Sequence, residues 1–363
     1  MECKGARRSS ARRFFCATLL ALAVTGCQRD AATGDGAQTV AERTPLAISS
    51  GGKFDDPAPG SLVTVSLHAL LEVEKRHPLE ASGVAFFLPN NERETLAQSD
   101  LYVAFDHFST AARVPRDLQS AASFLGEEES DFGYEGLTFD ARTQRFYALV
   151  EAVEKKKRFE PEIHVYDASW KLLAEQQVDF EVEDFNKGME GLAHVYQDET
   201  LYLFMLCEGN QCETHGDRGE GRIHVFALDE EEEEWLEVDR VKLPGNLDFE
   251  DYSGLDIQGD RIAIVSQEEG AVFLGTLLLE LDDEGEPDWK IADDDDFEGG
   301  EGKVYELPRD EDGKRIFCNV EGIAFSPAPG EARTLYLVSD RRKPDQNKRC
   351  EDHDQSMHKV ELP

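Results

Sequence analysis

One short phrase recurs through this chain, and its residues are of the kind that hold cations. It reads Ser82-Gly83-Val84, Glu135-Gly136-Leu137, Glu190-Gly191-Leu192, Ser253-Gly254-Leu255 and Glu321-Gly322-Ile323. The glycines are 53, 55, 63 and 68 residues apart. Three carboxylates and two hydroxyls brought to one place repel unless something positive joins them. Hard cations such as calcium take oxygen ligands of this kind at about 2.3–2.6 Å. The phrase therefore makes Glu135, Glu190, Glu321, Ser82 and Ser253 candidate metal ligands, with calcium the expected ion. A row of waters among carboxyls of raised pKa would also settle the charge. A third reading stays open. Glu-Gly can be a turn signal, with the glycine permitting close backbone packing and the glutamate bonding neighbouring N–H groups.

The elements that must position these residues also repeat. After each phrase comes an apolar run: Leu101–Phe105, Phe146–Val150, Leu201–Leu206, Ile262–Val265 and Leu335–Val338. Such runs mark strands buried on both faces. A third element follows in three repeats, at Ile163–Tyr166, Ile223–Phe226 and Met357–Val360. Fourth strands are expected at Leu172–Phe180 and Trp235–Leu243. The unit is a four-stranded meander, and radial arrays of such sheets are β-propellers. The expected fold is all-β: a propeller of about five blades, with six as the alternative. The last repeat lacks an outer strand, and Leu62–Leu70 precedes the first repeat unassigned. That segment is expected to complete the last blade and close the ring. Phe108 to Gly133 gives poor strand signals, so the first blade is expected to be irregular.

Innermost strands of a propeller line its axis, so the five phrase residues should converge on one rim. The ends of the second strands should surround them: Asp106-His107, Glu151, Glu208, Gln267-Glu268 and Asp340-Arg341. His107, Asp340 and Arg341 are candidate substrate-binding residues, and Arg342 and Lys343 add positive charge nearby. They would hold an anionic ester against a metal, or serve as salt-bridge partners. His164, His224 and His358 fall on third strands, away from the axis, and are expected to pack rather than to ligate.

Glu135-Gly136-Leu137 with Phe146-Tyr147-Ala148-Leu149-Val150-Glu151, and Glu321-Gly322-Ile323 with Leu335-Tyr336-Leu337-Val338-Ser339-Asp340, resemble the phytase-like (esterase-like) propeller domains of exported bacterial proteins. That resemblance covers nearly the whole chain after the tether and implies ester hydrolysis. The phrase also resembles the first-strand Glu-Gly of gluconolactonase-like propellers. That implies a divalent metal on one of Glu135, Glu190 or Glu321, with Asn319 and Asp340 the nearest candidates for further ligands.

The first residues address location. Arg7, Arg8, Arg12 and Arg13 precede a thirteen-residue apolar run, Phe14 to Gly26. A membrane-spanning helix needs about 20 residues, so the run suits a signal peptide. Val24-Thr25-Gly26-Cys27 resembles the bacterial lipobox, which implies a signal peptide of residues 1–26 and a lipid on Cys27. Arg12-Arg13-Phe14-Phe15 resembles a twin-arginine export signal, and Gln28 after the anchor implies the outer membrane. Residues 27–60 read as the lipidated cysteine and a flexible tether, reaching about 30 Å on average. The propeller domain is assigned to 61–363.

Formal charge is -38, and about -42 once the signal is removed. Phosphate backbones would be repelled, which excludes nucleic acid. A bare anionic membrane would be repelled too, so the lipid must do the anchoring. Beyond Cys27 four cysteines remain, Cys207, Cys212, Cys318 and Cys350. In an exported protein they read as disulfides, paired Cys207–Cys212 and Cys318–Cys350. A zinc site of Cys207, Cys212 and His215 is the alternative.

Two functions fit. One is a monomeric propeller that binds a protein, an envelope component or a small molecule, with calcium at its rim. The other is a metal-dependent ester or phosphoester hydrolase. No Ser-His-Asp order and no Gly-x-Ser-x-Gly phrase favours the second.

Overall fold

The computed structural model describes residues 61–74, 78–89, 99–126, 132–155, 158–182, 188–209, 212, 222–245, 247, 249–281, 287–297, 300–343 and 346–363. The expected signal peptide, Cys27, the tether and His215 lie outside the described residues.

The chain opens with β1 (Ser61–Ser66) and a short helix, α1 (Leu67–Leu71). One sheet follows from β2 (Ala81–Phe86), β3 (Leu101–Phe105), β4 (Phe108–Val114) and β5 (Ser123–Leu125), in that order. The next comprises β6 (Gly136–Asp140), β7 (Arg145–Lys155), β8 (Arg158–Asp167) and β9 (Leu172–Asp179). A third holds β10 (Met189–Gln197), β11 (Thr200–Cys207), β12 (Arg222–Asp229) and β13 (Glu234–Lys242). These two meanders share an outer edge, because β13 pairs in parallel with β9 from Glu234↔Gln177 to Leu236↔Asp179. The fourth holds β14 (Gly254–Gln258), β15 (Arg261–Ser266), β16 (Ala271–Leu281), β17 (Pro287–Ile291) and β18 (Lys303–Glu306). The last holds β19 (Val320–Phe325), β20 (Thr334–Ser339) and β21 (Ser356–Glu361), with β1 outermost.

Each sheet is a blade that begins on the strand carrying the repeated phrase. Those inner strands pack in the cyclic order β2, β6, β10, β14, β19 and back to β2. Among the described residues the inner ring therefore closes on five strands, and the fold is a β-propeller.

The apolar second strands have a simple cause. Side chains alternate across a strand, and each face meets a different neighbouring blade. On β7, Tyr147 and Leu149 pack against the blade that follows, while Phe146, Ala148 and Val150 pack against the blade before. On β3, Leu101, Val103 and Phe105 face the last blade, and Tyr102 and Ala104 face the second. Five separate apolar clusters result, one at each blade interface.

The ring closes as expected: β1 pairs antiparallel with β21 from Ser61↔Glu361 to Ser66↔Ser356. The segment Leu62–Leu70 is not one strand, however. Its partner β21 starts at Ser356, so past Ser66 the ladder has nothing to pair with. Leu67, Leu70 and Leu71 stand at helical spacing, and all three are buried in the closing cluster. The first blade is also more regular than its sequence suggests. Thr110, Ala111 and Ala112 of β4 are fully buried, so small residues form this strand where a β-branched run was the signal sought. The fourth blade departs from a plain meander. The first half of β16 pairs with β18 (Ala271↔Glu306) and the second half with β17 (Leu281↔Pro287).

Disulfides join Cys207 to Cys212 and Cys318 to Cys350, with Cα–Cα distances of 5.4 and 5.6 Å. This is the expected pairing, and it takes both cysteines of the zinc alternative.

Candidate functional site: an acidic rim at the propeller axis

A bulge aims each phrase residue. Ala81 faces Phe105 while Gly83 faces Ala104, leaving Ser82 as the extra residue. The same slip isolates Glu190 between Met189 and Gly191, and Glu321 between Val320 and Gly322. In the other two blades the N–H groups of Glu135 and Ser253 donate to Leu149 and Val265 carbonyls at 2.9 Å. Those residues already face Gly136 and Gly254, so again two residues oppose one. A bulge of this kind re-aims a side chain, here toward the axis.

The glycine that follows lets the strands meet. A Cβ on Gly136 would lie 2.8 Å from the Leu192 nitrogen, and one on Gly191 would lie 2.8 Å from the Leu255 nitrogen. The space left at the axis has a volume of about 10 Å³; it is lined by Ser82, Glu135, Glu190 and Glu321, by the five phrase glycines and by the apolar residue after each. Holding one water takes about 10–15 Å³ by this measure, so the axis admits a single water or an ion of that size.

The structure thus brings Glu135, Glu190, Glu321 and Ser82 around one cavity. The two serines are already committed. The Ser82 hydroxyl donates to the Tyr134 carbonyl. Ser253 donates to the Val320 carbonyl at 2.8 Å. In each case the acceptor is the residue just before the glutamate of the next blade. The serines brace the ring, and the glutamates carry its charge.

That charge is crowded. Burial pushes Glu135 well above the usual carboxylate range, and Glu190, Asp106, Glu151 and Glu321 push it further. Glu190 rises through burial and then Glu151, Glu208, Glu321 and Asp106. Glu321 rises through burial and Asp340, with Lys343 opposing. Asp340 is raised to about 7, chiefly by burial. Burial would lower the Lys343 pKa, but Glu321, Asp340, Glu190 and Glu208 outweigh it and hold the ammonium charged. The second-strand ends expected on this rim therefore act on the axial glutamates.

His107 and Arg341 also lie on the rim. The His107 Nε2 pairs with Glu80, its Nδ1 lies 3.7 Å from Asp106, and Arg341 lies 3.4 Å from the other Glu80 oxygen. Glu80, Asp106 and His107 each turn a ligand atom toward one point. Asn319 is placed differently. Its amide donates to the Arg341 carbonyl at 2.8 Å and its oxygen accepts from Gln346, so it holds the loop that carries Arg341 and Lys343. The histidines of the third strands are buried, as expected. His224 lies 2.6 Å from Glu237, and His164 lies 3.3 Å from the Tyr134 hydroxyl.

Two acids of the rim were not anticipated, Glu80 and Asp251. Both are buried. Asp251 accepts from the Ser266 hydroxyl at 2.5 Å and from Glu268 N–H at 3.0 Å, and burial raises it to about 6. Each stands two residues before a phrase serine. In the glutamate phrases that position holds Gly133, Gly188 and Asn319. At the head of its inner strand every blade therefore gives the rim one carboxylate, from one of two positions. The offset is visible in the sequence once the serine and glutamate phrases are aligned.

The sequence matches no protein-family model and no curated protein. Solved structures match the chain at low identity and low TM-score. A PQQ-bound aldose sugar dehydrogenase from Streptomyces coelicolor is 12% identical, with TM-score 0.41, over 84% of this chain and 100% of that one. A glutaminyl cyclase from Myxococcus xanthus is 13% identical, with TM-score 0.40, over 79% and 93%. A GH43_1 enzyme from Xanthomonas citri complexed with xylose is 11% identical, with TM-score 0.45, over 79% and 89%.

Proposed function

We propose that this chain is a lipid-anchored, extracytoplasmic propeller that binds a ligand or partner through an acidic rim charged with a divalent cation. The carrying observation is the axial cavity, walled by three glutamates and too small for more than one water or ion. The donors are all oxygens, which suits calcium rather than softer metals. Glu135, Glu190 and Glu321 would hold the ion, and Asp340 and Asp106 would complete its surroundings. A cation there would offset the burial and the mutual repulsion that together raise all three glutamates. Lys343 supplies part of that compensation already, so the site is expected to bind calcium moderately.

The test is calcium titration of the metal-stripped protein, followed by calorimetry and melting temperature. Binding and a raised Tm in the parent, both lost in Glu135→Gln/Glu190→Gln, are the expected result. No heat, no shift in Tm and no calcium by elemental analysis would remove the cation from the proposal.

A second reading is a phytase-like ester hydrolase. What favours it is Arg341 and His107 standing on the same rim as the carboxylates. They would orient an anionic ester, and a rim carboxylate would take a proton from the attacking water. A bound divalent cation would polarise the ester and lower the pKa of that water. A panel of phosphate and acyl esters, with and without calcium, separates the readings. Turnover that falls with Arg341→Ala supports the enzyme, and none on any ester leaves the binding module.

A further inference from the structure

The inner strands have a second end, and it is chemically unlike the first. Where β2, β6, β10, β14 and β19 leave the axis they surround a pocket of about 360 Å³. That volume falls within the roughly 300–1,000 Å³ of small-molecule sites. The small axial cavity lies among the glycines of the same strands, toward the acidic rim.

Its walls are aromatic and polar together. Phe86, Phe139 and Phe325 line it together with His194, Asp256 and Gln258, whose side-chain oxygen accepts from Arg261 and whose amide N–H remains to donate. His194 Nδ1 lies 2.8 Å from the Thr138 hydroxyl, and its Nε2 has no hydrogen-bond partner among the described residues. Burial holds its pKa below the ordinary range, so the ring is neutral and offers one donor and one acceptor. Asp256 accepts from Phe325 N–H at 2.6 Å and from Ile257 N–H at 2.9 Å. These bonds fix the carboxyl and leave a lone pair on each oxygen.

The local charge balances. Asp140 accepts from the Tyr196 hydroxyl at 2.9 Å, and the Arg142 guanidinium sits 3.8 Å over that tyrosine ring. Arg261 sits 4.4 Å over Phe325, and burial raises Asp256 to about 6 against the Phe325 and Ile257 N–H groups and, least, Arg261. Each carboxylate near the pocket therefore has a guanidinium nearby. Among the residues that line the pocket, Asp256 is the one carboxylate, and none is a lysine or arginine. An ionic ligand would leave one of these groups uncompensated. A neutral molecule with C–H faces for the rings and hydroxyls for His194, Asp256 and Gln258 would leave none.

We propose that this pocket binds neutral carbohydrate, one monosaccharide unit in size. The test is calorimetry and saturation-transfer NMR of the full-length chain with D-glucose, D-xylose and, as a cationic probe, choline. Binding of at least one sugar is expected. It should weaken about tenfold, the worth of one hydrogen bond, in His194→Gln and in Gln258→Ala. It should be unchanged in Glu311→Gln, an exposed turn residue outside the pocket. Failure to bind either sugar, preference for choline, or sugar binding untouched by both pocket variants would overturn it. Gln258 is partly exposed, so its variant decides if His194→Gln does not fold.

Discussion

The His358 Nδ1 lies 3.0 Å from the Thr64 hydroxyl, joining the first described strand to the last. The other ring nitrogen lies 2.8 Å from Ser339 Oγ. One fully buried imidazole thus ties β1, β20 and β21 together across the seam of the propeller. Deleting Ser356–Pro363 would leave β1 and β20 unpaired along facing edges and expose the closing cluster. Loss of soluble, cooperatively unfolding protein is expected. Retention of a single sharp thermal transition would show that the ring does not depend on this strand. Thr64→Val is the milder variant and should cost about 1 kcal/mol, read by urea denaturation.

Stability should depend on pH in a direction set by the rim. Folded Asp340 keeps its proton to about pH 7 and Asp251 to about 6, whereas unfolded aspartate releases it near about 3.9. Between these values the folded chain binds more protons than the unfolded one. The contribution of these groups is therefore complete below about pH 4 and is lost as pH rises toward 7. Glu135, Glu190 and Glu321 act in the same direction. His358, lowered by burial to about 3, acts oppositely, and only below about pH 6.5. Tm measured without divalent cations should therefore rise from pH 8 to pH 6.5. Glu190→Gln should flatten the rise. A Tm that is level or falls over this interval in the parent would contradict the crowded rim.

The glycine ring predicts a position-specific cost. Gly191→Ala places a methyl 2.8 Å from a backbone nitrogen of the neighbouring blade, and cores resist such overpacking by about 1–3 kcal/mol. A loss near the upper end is expected by denaturant titration. Gly259→Ala is the control. That glycine has φ +68° but open space around it, so only backbone strain of about 1–2 kcal/mol applies. Equal costs at the two sites would mean that the axis can relax.

The two disulfides should differ in worth. Cys318 and Cys350 are 32 residues apart, against 5 for Cys207 and Cys212. By the chain-entropy argument the longer closure contributes about 3–4 kcal/mol and the shorter about 2. Cys318→Ala/Cys350→Ala should lower Tm more than Cys207→Ala/Cys212→Ala. It should also loosen the loop held by Asn319, read as faster amide exchange around Arg341 to Lys343.

The lipid anchor is tested directly. Cys27→Ser should abolish labelling with radioactive palmitate and release the protein to the soluble envelope fraction. Labelling that persists would place the lipid elsewhere.

The repeat was legible because it is a register of backbone needs. Glycine at the close approach and apolar runs between blades recur wherever the geometry recurs. Second strands, the closing strand and both disulfides could be read from such spacing. The helix Leu67–Leu71 could not, because its cause is the end of a partner strand nearly 300 residues away, at Ser356. β4 was hidden for another reason: small Ala111 and Ala112 fill the buried middle of the strand, and Thr110 and Val114 alone do not make an apolar run. At the rim the glutamates were visible as a motif. The commitment of Ser82 and Ser253 to backbone carbonyls was not, since serine types alone do not reveal which oxygen they meet. The pocket around His194 was missed because the residues that five strands bring to it share no phrase.

The direction of β1 sets how such a molecule would present itself. Ser66 ends beside Ser356 and Ser339, at the rim, while Ser61 lies at the opposite end of the blade. β1 therefore runs from the pocket end of the last blade to its rim end. The acidic rim and the His194 pocket open at opposite ends of the same five inner strands. A negatively charged surface would be repelled by one end of the molecule and could approach the other.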